Sequence, residues 1–207
     1  MNGPTGLEIV QLPLGAYQAN CYLVAREGAA EAVVIDPGDT PDRVMGQLEQ
    51  RGWTAVGVLV THGHIDHLGG VAAVAREAGV DVWMPAGEAD LLREFPGASY
   101  APEHLLDGGE TVSLAGIDFA VTLVPGHSPA SVAFHADGHL FVGDVLFAGS
   151  VGRTDLPGAD WETLVDSIRM LSERFPPETM VYPGHGPPTT LGAELERNPF
   201  LTQLRAS

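Results

Sequence analysis

The sequence predicts an α/β (α+β) domain in which sheets are covered by helices. Three observations lead there. Short apolar or alternating runs typical of strands recur along the chain, segments of helical period interleave with them, and the first runs adjoin one another as hairpin partners would. At 207 residues the chain fits one domain, 1–207, and a chain of that size buries roughly 70% of its unfolded surface.

The opening strands are expected over residues 7–12, 21–25, 32–35 and 56–60, each bounded by glycine, proline or charge. Between the third and fourth, Pro41–Arg51 reads as a helix: Thr40 can cap it, Pro41 opens it, and Val44, Met45 and Leu48 share one face. A helix over 68–78 closed by Gly79, a strand over 80–84 and a helix over 86–94 follow. Four further strands are predicted at 111–114, 117–124, 131–135 and 139–142, the last two joined at Asp137-Gly138. A helix over 160–174, a strand over 180–182 and a helix over 193–204 complete the pattern, whose topology local periodicity leaves open.

Charge narrows the partners. Asp and Glu number 27 against 10 basic residues, all arginine, for a formal net charge of −17. Nucleic-acid affinity depends on cationic side chains displacing counterions, so nucleic acid and anionic membrane surfaces are not expected partners. No apolar run approaches the roughly 20 residues needed to cross a bilayer. The single Cys21 excludes an internal disulfide and is expected to pack in a strand. The start Met-Asn-Gly-Pro lacks the basic and apolar regions of a secretory signal, so a cytoplasmic location is expected.

The chemistry concentrates in Thr61-His62-Gly63-His64-Ile65-Asp66-His67. Four candidate ligands within six positions, in a turn too polar for a core, are the imidazole and carboxylate donors that Zn, Fe and Mn accept. His127, Asp144 and His185 each follow a glycine, which lets the chain turn sharply and keeps bulk away from an ion. Each of these loops follows a strand candidate, so several strand ends would converge on one place. His104, His135 and His139 lack such a setting and read as surface residues.

The order HxHxDH, His, Asp, His resembles the metallo-β-lactamase superfamily over nearly the whole chain. Asn20-Cys21-Tyr22, Ile35-Asp36-Pro37-Gly38 and Pro183-Gly184-His185-Gly186 resemble its glyoxalase II (hydroxyacylglutathione hydrolase) branch, in a compact form. The resemblance implies a four-layer αβ/βα sandwich with its site at the sheet edges. It implies that His62, His64 and His127 bind a first metal and that Asp66, His67 and His185 bind a second. Asp144 would bridge two divalent ions, zinc first, with iron or manganese also suited to these donors. Asp36 would either orient a ligand imidazole or shape the Asp-Pro-Gly turn.

The implied reaction is attack of a hydroxide shared by the metals on an acyl thioester, with Asp66 also able to accept a proton. The related alternatives are a mononuclear iron persulfide dioxygenase and a lactonase or β-lactamase. The long glyoxalase II form carries an extra helical region and lysines that hold glutathione carboxylates, and this chain contains no lysine. Arg153, nine positions past Asp144, either faces substrate or pairs with Asp155 or Asp160.

Overall fold

The computed structural model describes residues 6–96 and 99–201. Its first sheet orders β1 (Leu7–Leu14), β2 (Ala19–Arg26), β3 (Glu31–Ile35), β4 (Thr54–Leu59), β5 (Val82–Pro85) and β6 (His104–Leu106) side by side. The second contains β7 (Thr111–Leu114), β8 (Ile117–Leu123), β9 (Val132–Ala136), β10 (His139–Gly143), β13 (Met180–Pro183) and β14 (Thr189–Thr190), in the order β14-β13-β10-β9-β8-β7. A small hairpin of β11 (Leu146–Phe147) and β12 (Ser150–Val151) lies between β10 and β13 in the chain.

Alternation along the strands builds three apolar clusters. Tyr22, Val24, Val33 and Leu59 face Phe119, Val121, Phe134 and Phe141 between the sheets. Their neighbours Leu23, Val34 and Val58 point the other way, onto Val44 and Leu48 of α1 (Pro41–Arg51) and Val71 and Val74 of α3 (Val71–Ala78). Beyond the second sheet, Ala133, Leu140 and Val181 pack on Leu164, Ile168 and Leu171 of α5 (Trp161–Arg174) and on Leu191 of α6 (Leu191–Arg197). The layers therefore run helix, sheet, sheet, helix, the expected αβ/βα sandwich. Strand β2 is buried on both faces except at Arg26, which is why its alternation is hidden. Burying a large apolar side chain in such a core stabilises the fold by about 1.5–3 kcal/mol. Cys21 is buried as expected, and burial, helped by the Asp36 charge, pushes its thiol well above its ordinary range.

Strands β3, β4 and β5 run parallel, so their C-terminal ends meet at one edge of the first sheet. Strands β10 and β13 are parallel in the second sheet and end together likewise. The edges are joined: Val132 N–H donates to Thr61 O at 2.9 Å, and Asn20 N–H to Gly184 O at 2.7 Å.

Several elements differ from the sequence reading. The helix expected over 68–78 is two helices, α2 (Ile65–Leu68) and α3, because Gly69 and Gly70 lie against the Pro37-Gly38 backbone. Gly70 N–H donates to Pro37 O at 2.9 Å. Thr40 does not cap α1 with its side chain; its backbone is left-handed at φ 43° and its amide bonds to its neighbour Asp39. The 86–94 segment divides into a 3-10 turn, Ala86–Glu88, and α4 (Ala89–Arg93). The final helix starts and ends earlier than expected, and residues 202–204 of that expectation lie outside the described residues. His104, His135 and His139 are half-buried rather than free on the surface: His104 stacks on Trp83, His135 stacks on Phe175, and His139 Nδ1 lies 3.1 Å from the Tyr182 hydroxyl.

Two glycine substitutions should move stability in opposite directions. A Cβ at Gly38 would run into the Asp66 carbonyl, whereas one at Gly46, on the exposed side of α1, meets nothing within 4 Å. Gly38→Ala should cost about 1–3 kcal/mol. Gly46→Ala should gain roughly 0.5–1 kcal/mol by removing a flexible residue from a helix interior. Thermal unfolding followed by circular dichroism reads both, at roughly 2–4 °C per kcal/mol; a Gly38→Ala protein as stable as the parent would contradict this packing.

Candidate metal centre

The converging loops place two donor triads side by side. His62, His64 and His127 form one and Asp66, His67 and His185 the other, the ligand atoms of each lying within 4.8 Å of one another. Asp144 sits between them: Oδ2 is 3.6 Å from His127 Nε2 and 3.5 Å from His185 Nε2, while Oδ1 is 3.4 Å from His67 Nε2. His185 Nε2 also lies 3.2 Å from Asp66 Oδ2.

Outer partners set the tautomers. Thr61 Oγ1–H donates to Asp36 Oδ2 at 2.6 Å, so that oxygen can only accept from His62 Nδ1–H, 3.0 Å away, and His62 Nε2 keeps its lone pair. His67 Nδ1–H donates to Asp36 Oδ2 at 3.0 Å, and His127 Nδ1–H to the Arg153 carbonyl at 2.9 Å, which turns both Nε2 atoms into the cluster. Asp36 also accepts from Thr61 N–H at 2.7 Å. It thus both shapes the turn, with its own φ at 50°, and orients an imidazole.

Close approach explains two of the glycines. Gly143 has φ 54°, and a Cβ there would meet Thr61 and His62; a Cβ at Gly184 would overlap Asp144 Oδ1 and His67. The His185 loop is held from across the sandwich. Asn20 Nδ2–H₂ donates to Pro183 O and Gly186 O, both at 2.9 Å, and Tyr22 O–H donates to Pro183 O at 2.7 Å.

Electrostatics polarises the cluster. Burial, reinforced by the His67 charge, pushes His62 well below its ordinary value, and burial with His127 lowers His64. Burial would also lower His67, but the Asp144 and Asp36 carboxylates outweigh it and hold that imidazole well above its usual range. Burial would raise Asp144, yet the His67 charge and the His185 bond keep it well below the carboxylate range. Asp66 is lowered in the same way, its His185 bond and the His67 charge overcoming burial. Bonds from Asp144 and Asp66 push His185 up to about 9.

These residues fit a metal. His62 Nε2, His67 Nε2 and Asp144 Oδ1 are buried without a hydrogen-bond partner; at 3.4 Å the last two are in ion-pair range but not bonded. Leaving buried polar atoms unpaired costs about 1–3 kcal/mol each. All three point into the space the triads share, and imidazole plus carboxylate is the donor set of Zn, Fe and Mn. Arg153 lies otherwise: only its carbonyl touches the cluster, and its exposed guanidinium makes a two-point ion pair with Asp155 at 2.7 Å. Asn20 and Glu88 also serve this centre. Asn20 stood in a quoted motif without a role, and Glu88 left no signal, because its partners are mostly backbone amides that no spacing reveals.

A helix–sheet–sheet–helix sandwich with histidines and aspartates gathered where its strands end defines a class of metal-dependent hydrolases. The family model described as the Metallo-beta-lactamase superfamily matches residues 14–185, and the chain belongs to that superfamily. It is 34% identical to "Hydroxyacylglutathione hydrolase GloC" of Haemophilus influenzae, across 94% of this chain and 98% of that protein. Among solved structures it is similar to the BLEG-1 B3 metallo-beta-lactamase, with a TM-score of 0.87 and 36% identity over 94% of this chain and 100% of that one. It is likewise similar to TTHA1623 in a di-iron-bound form, with a TM-score of 0.77 and 39% identity over 93% and 100% of the two chains.

Asn20→Asp keeps the volume but turns the amide donor into an acceptor facing two carbonyls. It should lower stability by about 1–3 kcal/mol, through groups left buried and unpaired. Urea unfolding tests this: the midpoint should fall with the slope unchanged, and an unchanged midpoint would mean that the His185 loop does not depend on Asn20.

Proposed function

We propose that the chain is a dinuclear metal-dependent hydrolase of acyl thioesters. The observation that carries the reading is Asp144, whose Oδ2 lies 3.6 Å from His127 of one triad and 3.5 Å from His185 of the other, with Oδ1 3.4 Å from His67. In this reading His62, His64 and His127 hold one divalent ion, Asp66, His67 and His185 hold the second, and Asp144 is shared. Two such ions, zinc, iron or manganese, supply a water deprotonated near neutral pH and polarise a carbonyl.

The protein's own groups do the rest. Asp36, Thr61 and the Arg153 carbonyl fix the imidazoles in the tautomers that present lone pairs inward. Asp66, side by side with His185 and kept ionised, is placed to take up the proton released as water adds to the carbonyl. A free thiol has a pKa near 8.5, so a thiolate leaves without a strong acid, and the site offers no dedicated one.

Substrate selectivity follows from what lies beside Asp66. A cavity of about 300 Å³ opens there, lined by Leu14, Tyr17, Ile65 and Phe95 with Asp39, and no arginine is among its lining residues. Anionic carriers such as glutathione need charge-assisted contacts of roughly 1.5–3 kcal/mol each. Arg153 could supply one only by leaving Asp155. The pocket suits a neutral, apolar acyl or thiol group.

Three measurements test this. Elemental analysis should find about two metal ions per chain; a reproducible stoichiometry of one, unchanged by added Zn, Mn or Fe, would refute the dinuclear site, and iron with thiol-dependent oxygen consumption would favour a persulfide dioxygenase. Asp144→Ala should abolish thioester hydrolysis and lose metal with the circular dichroism spectrum retained, whereas a variant keeping both metals and most of its turnover would remove Asp144 from the shared position. For one acyl group, kcat/KM on glutathione and on a small neutral thiol should lie within about tenfold; a glutathione preference of a thousandfold, roughly 4 kcal/mol, would reveal a dedicated anion pocket.

A further inference from the structure

Outside the ligands themselves, one buried ionisable group touches both loops of the three-histidine half. Glu88 closes the 3-10 turn after β5 and is only 3% exposed. Its Oε2 accepts from the amide of Gly63, the residue between His62 and His64. Its Oε1 accepts from Ser128 Oγ–H, next to His127, and from Ala130 N–H at 2.9 Å. No cation pairs with Glu88 among these contacts; every bond it makes goes to a segment that carries a histidine donor. The seat is close-packed as well, since a Cβ on Gly63 would meet both Glu88 and Leu91.

We propose that Glu88 is a positioning residue for the three-histidine metal site: one carboxylate clamps the His62-Gly63-His64 turn to the His127-Ser128 loop and thereby sets how His64 and His127 converge. The inference rests on the dinuclear reading above. The juxtaposition of His64 Nδ1 and His127 Nε2 at 2.8 Å lies between these two loops, which the backbone bond from Val132 N–H to Thr61 O also joins. His127 is tied at Nδ1 to the Arg153 carbonyl; among the described residues the His64 ring makes no hydrogen bond other than that to His127, so its aim is set by its backbone, held by Glu88 at Gly63 and by the first turn of α2 at its own carbonyl. The other triad has separate supports, Asp36 for His67 and Asn20 with Tyr22 for the His185 loop. Disturbing Glu88 should therefore loosen one metal and spare the other.

Glu88→Gln tests this, because the amide fills the same space but sets an N–H₂ against either the Gly63 amide or the Ser128 and Ala130 donors. Chelator competition on the full-length protein loaded with zinc measures the two sites separately, and cobalt(II) spectra identify the site that remains. The expected result is that one of two equivalents binds about 10–100-fold more weakly while the other stays within threefold. The weakened equivalent should be the one lost in His64→Ala. Ser128→Ala, which removes one donor and keeps the charge, should shift the same site in the same direction by less, and it decides the matter if Glu88→Gln does not fold. A lower unfolding temperature with both zinc affinities as in the parent, or equal weakening of both sites, would overturn the proposal. A parent binding fewer than two equivalents would overturn the dinuclear reading and this inference with it, whereas two equivalents with unchanged affinities in both variants would overturn the inference alone.

Discussion

The buried carboxylate of Asp36 is the junction on which the centre depends. It accepts from the Thr61 amide, the Thr61 hydroxyl and His67 Nδ1, which ties the loop after β3 to the loop after β4 and to α2 in a single group. Three bonds to one carboxylate offset the cost of taking that charge out of water, which unpaired would reach several kcal/mol. They also sustain a non-glycine residue at positive φ, a conformation that costs of order 1 kcal/mol or more by itself. The same turn leads into Pro37-Gly38, whose backbone lies directly on Asp66 and Gly70. Helix α2 is held against the Pro37-Gly38 loop after β3 on one side and its histidine is aimed on the other, so fold and site share one support.

Around that junction four of the histidine donors have tethers of their own, and the tethers come from both sheets. His62 leans on Thr61, His127 on the Arg153 carbonyl, and the His185 loop on Asn20 and Tyr22 from β2. Imidazoles crowded to ring separations of 4.2–5.7 Å would repel if several were protonated together. Burial lowers His62 and His64, while Asp144 and Asp36 raise His67, and Asp144 and Asp66 raise His185. Burial and the carboxylates therefore act in opposite directions within the cluster.

How much of this was legible depended on whether the information was local. The seven candidate donors could be picked out as one group because metal chemistry restricts residue type, and His62-Gly63-His64-Ile65-Asp66-His67 concentrates those types where packing has no use for them. Strands longer than four residues and the helices α1 and α5 were readable from periodicity and end signals. The short strands β6, β11, β12 and β14 were not, since two or three residues carry no period and their pairing is fixed by partners far away in sequence. The break between α2 and α3 was hidden for a related reason: Gly69-Gly70 could stay helical in isolation, and only the approach of the Pro37 carbonyl makes the break visible. Glu88 was invisible because a carboxylate that serves backbone amides has no required partner type to search for.

The separation between a deeply supported centre and a loosely defined rim explains how similar chains come to bear different names. The donors and their tethers occupy strand ends whose positions the sandwich dictates, and the chain is 34% identical to a protein named for hydroxyacylglutathione hydrolysis and 36% identical to one named as a β-lactamase. The exposed apolar side chains at this rim are Tyr17 at the β1–β2 turn, Ile65 at the start of α2 and Leu91 on α4, all more than half exposed and none committed to the core. Such positions accept substitution at little cost to stability, whereas a change at Asp36 or Asn20 disturbs buried hydrogen bonds. With a charge of −17 on the chain and Asp39 in the cavity wall, the field at this rim disfavours anionic groups before any contact is made. In the proposed reading, selectivity lies in the apolar cavity beside Asp66, which has no arginine among its lining residues, and is separate from the histidines that would hold the metals.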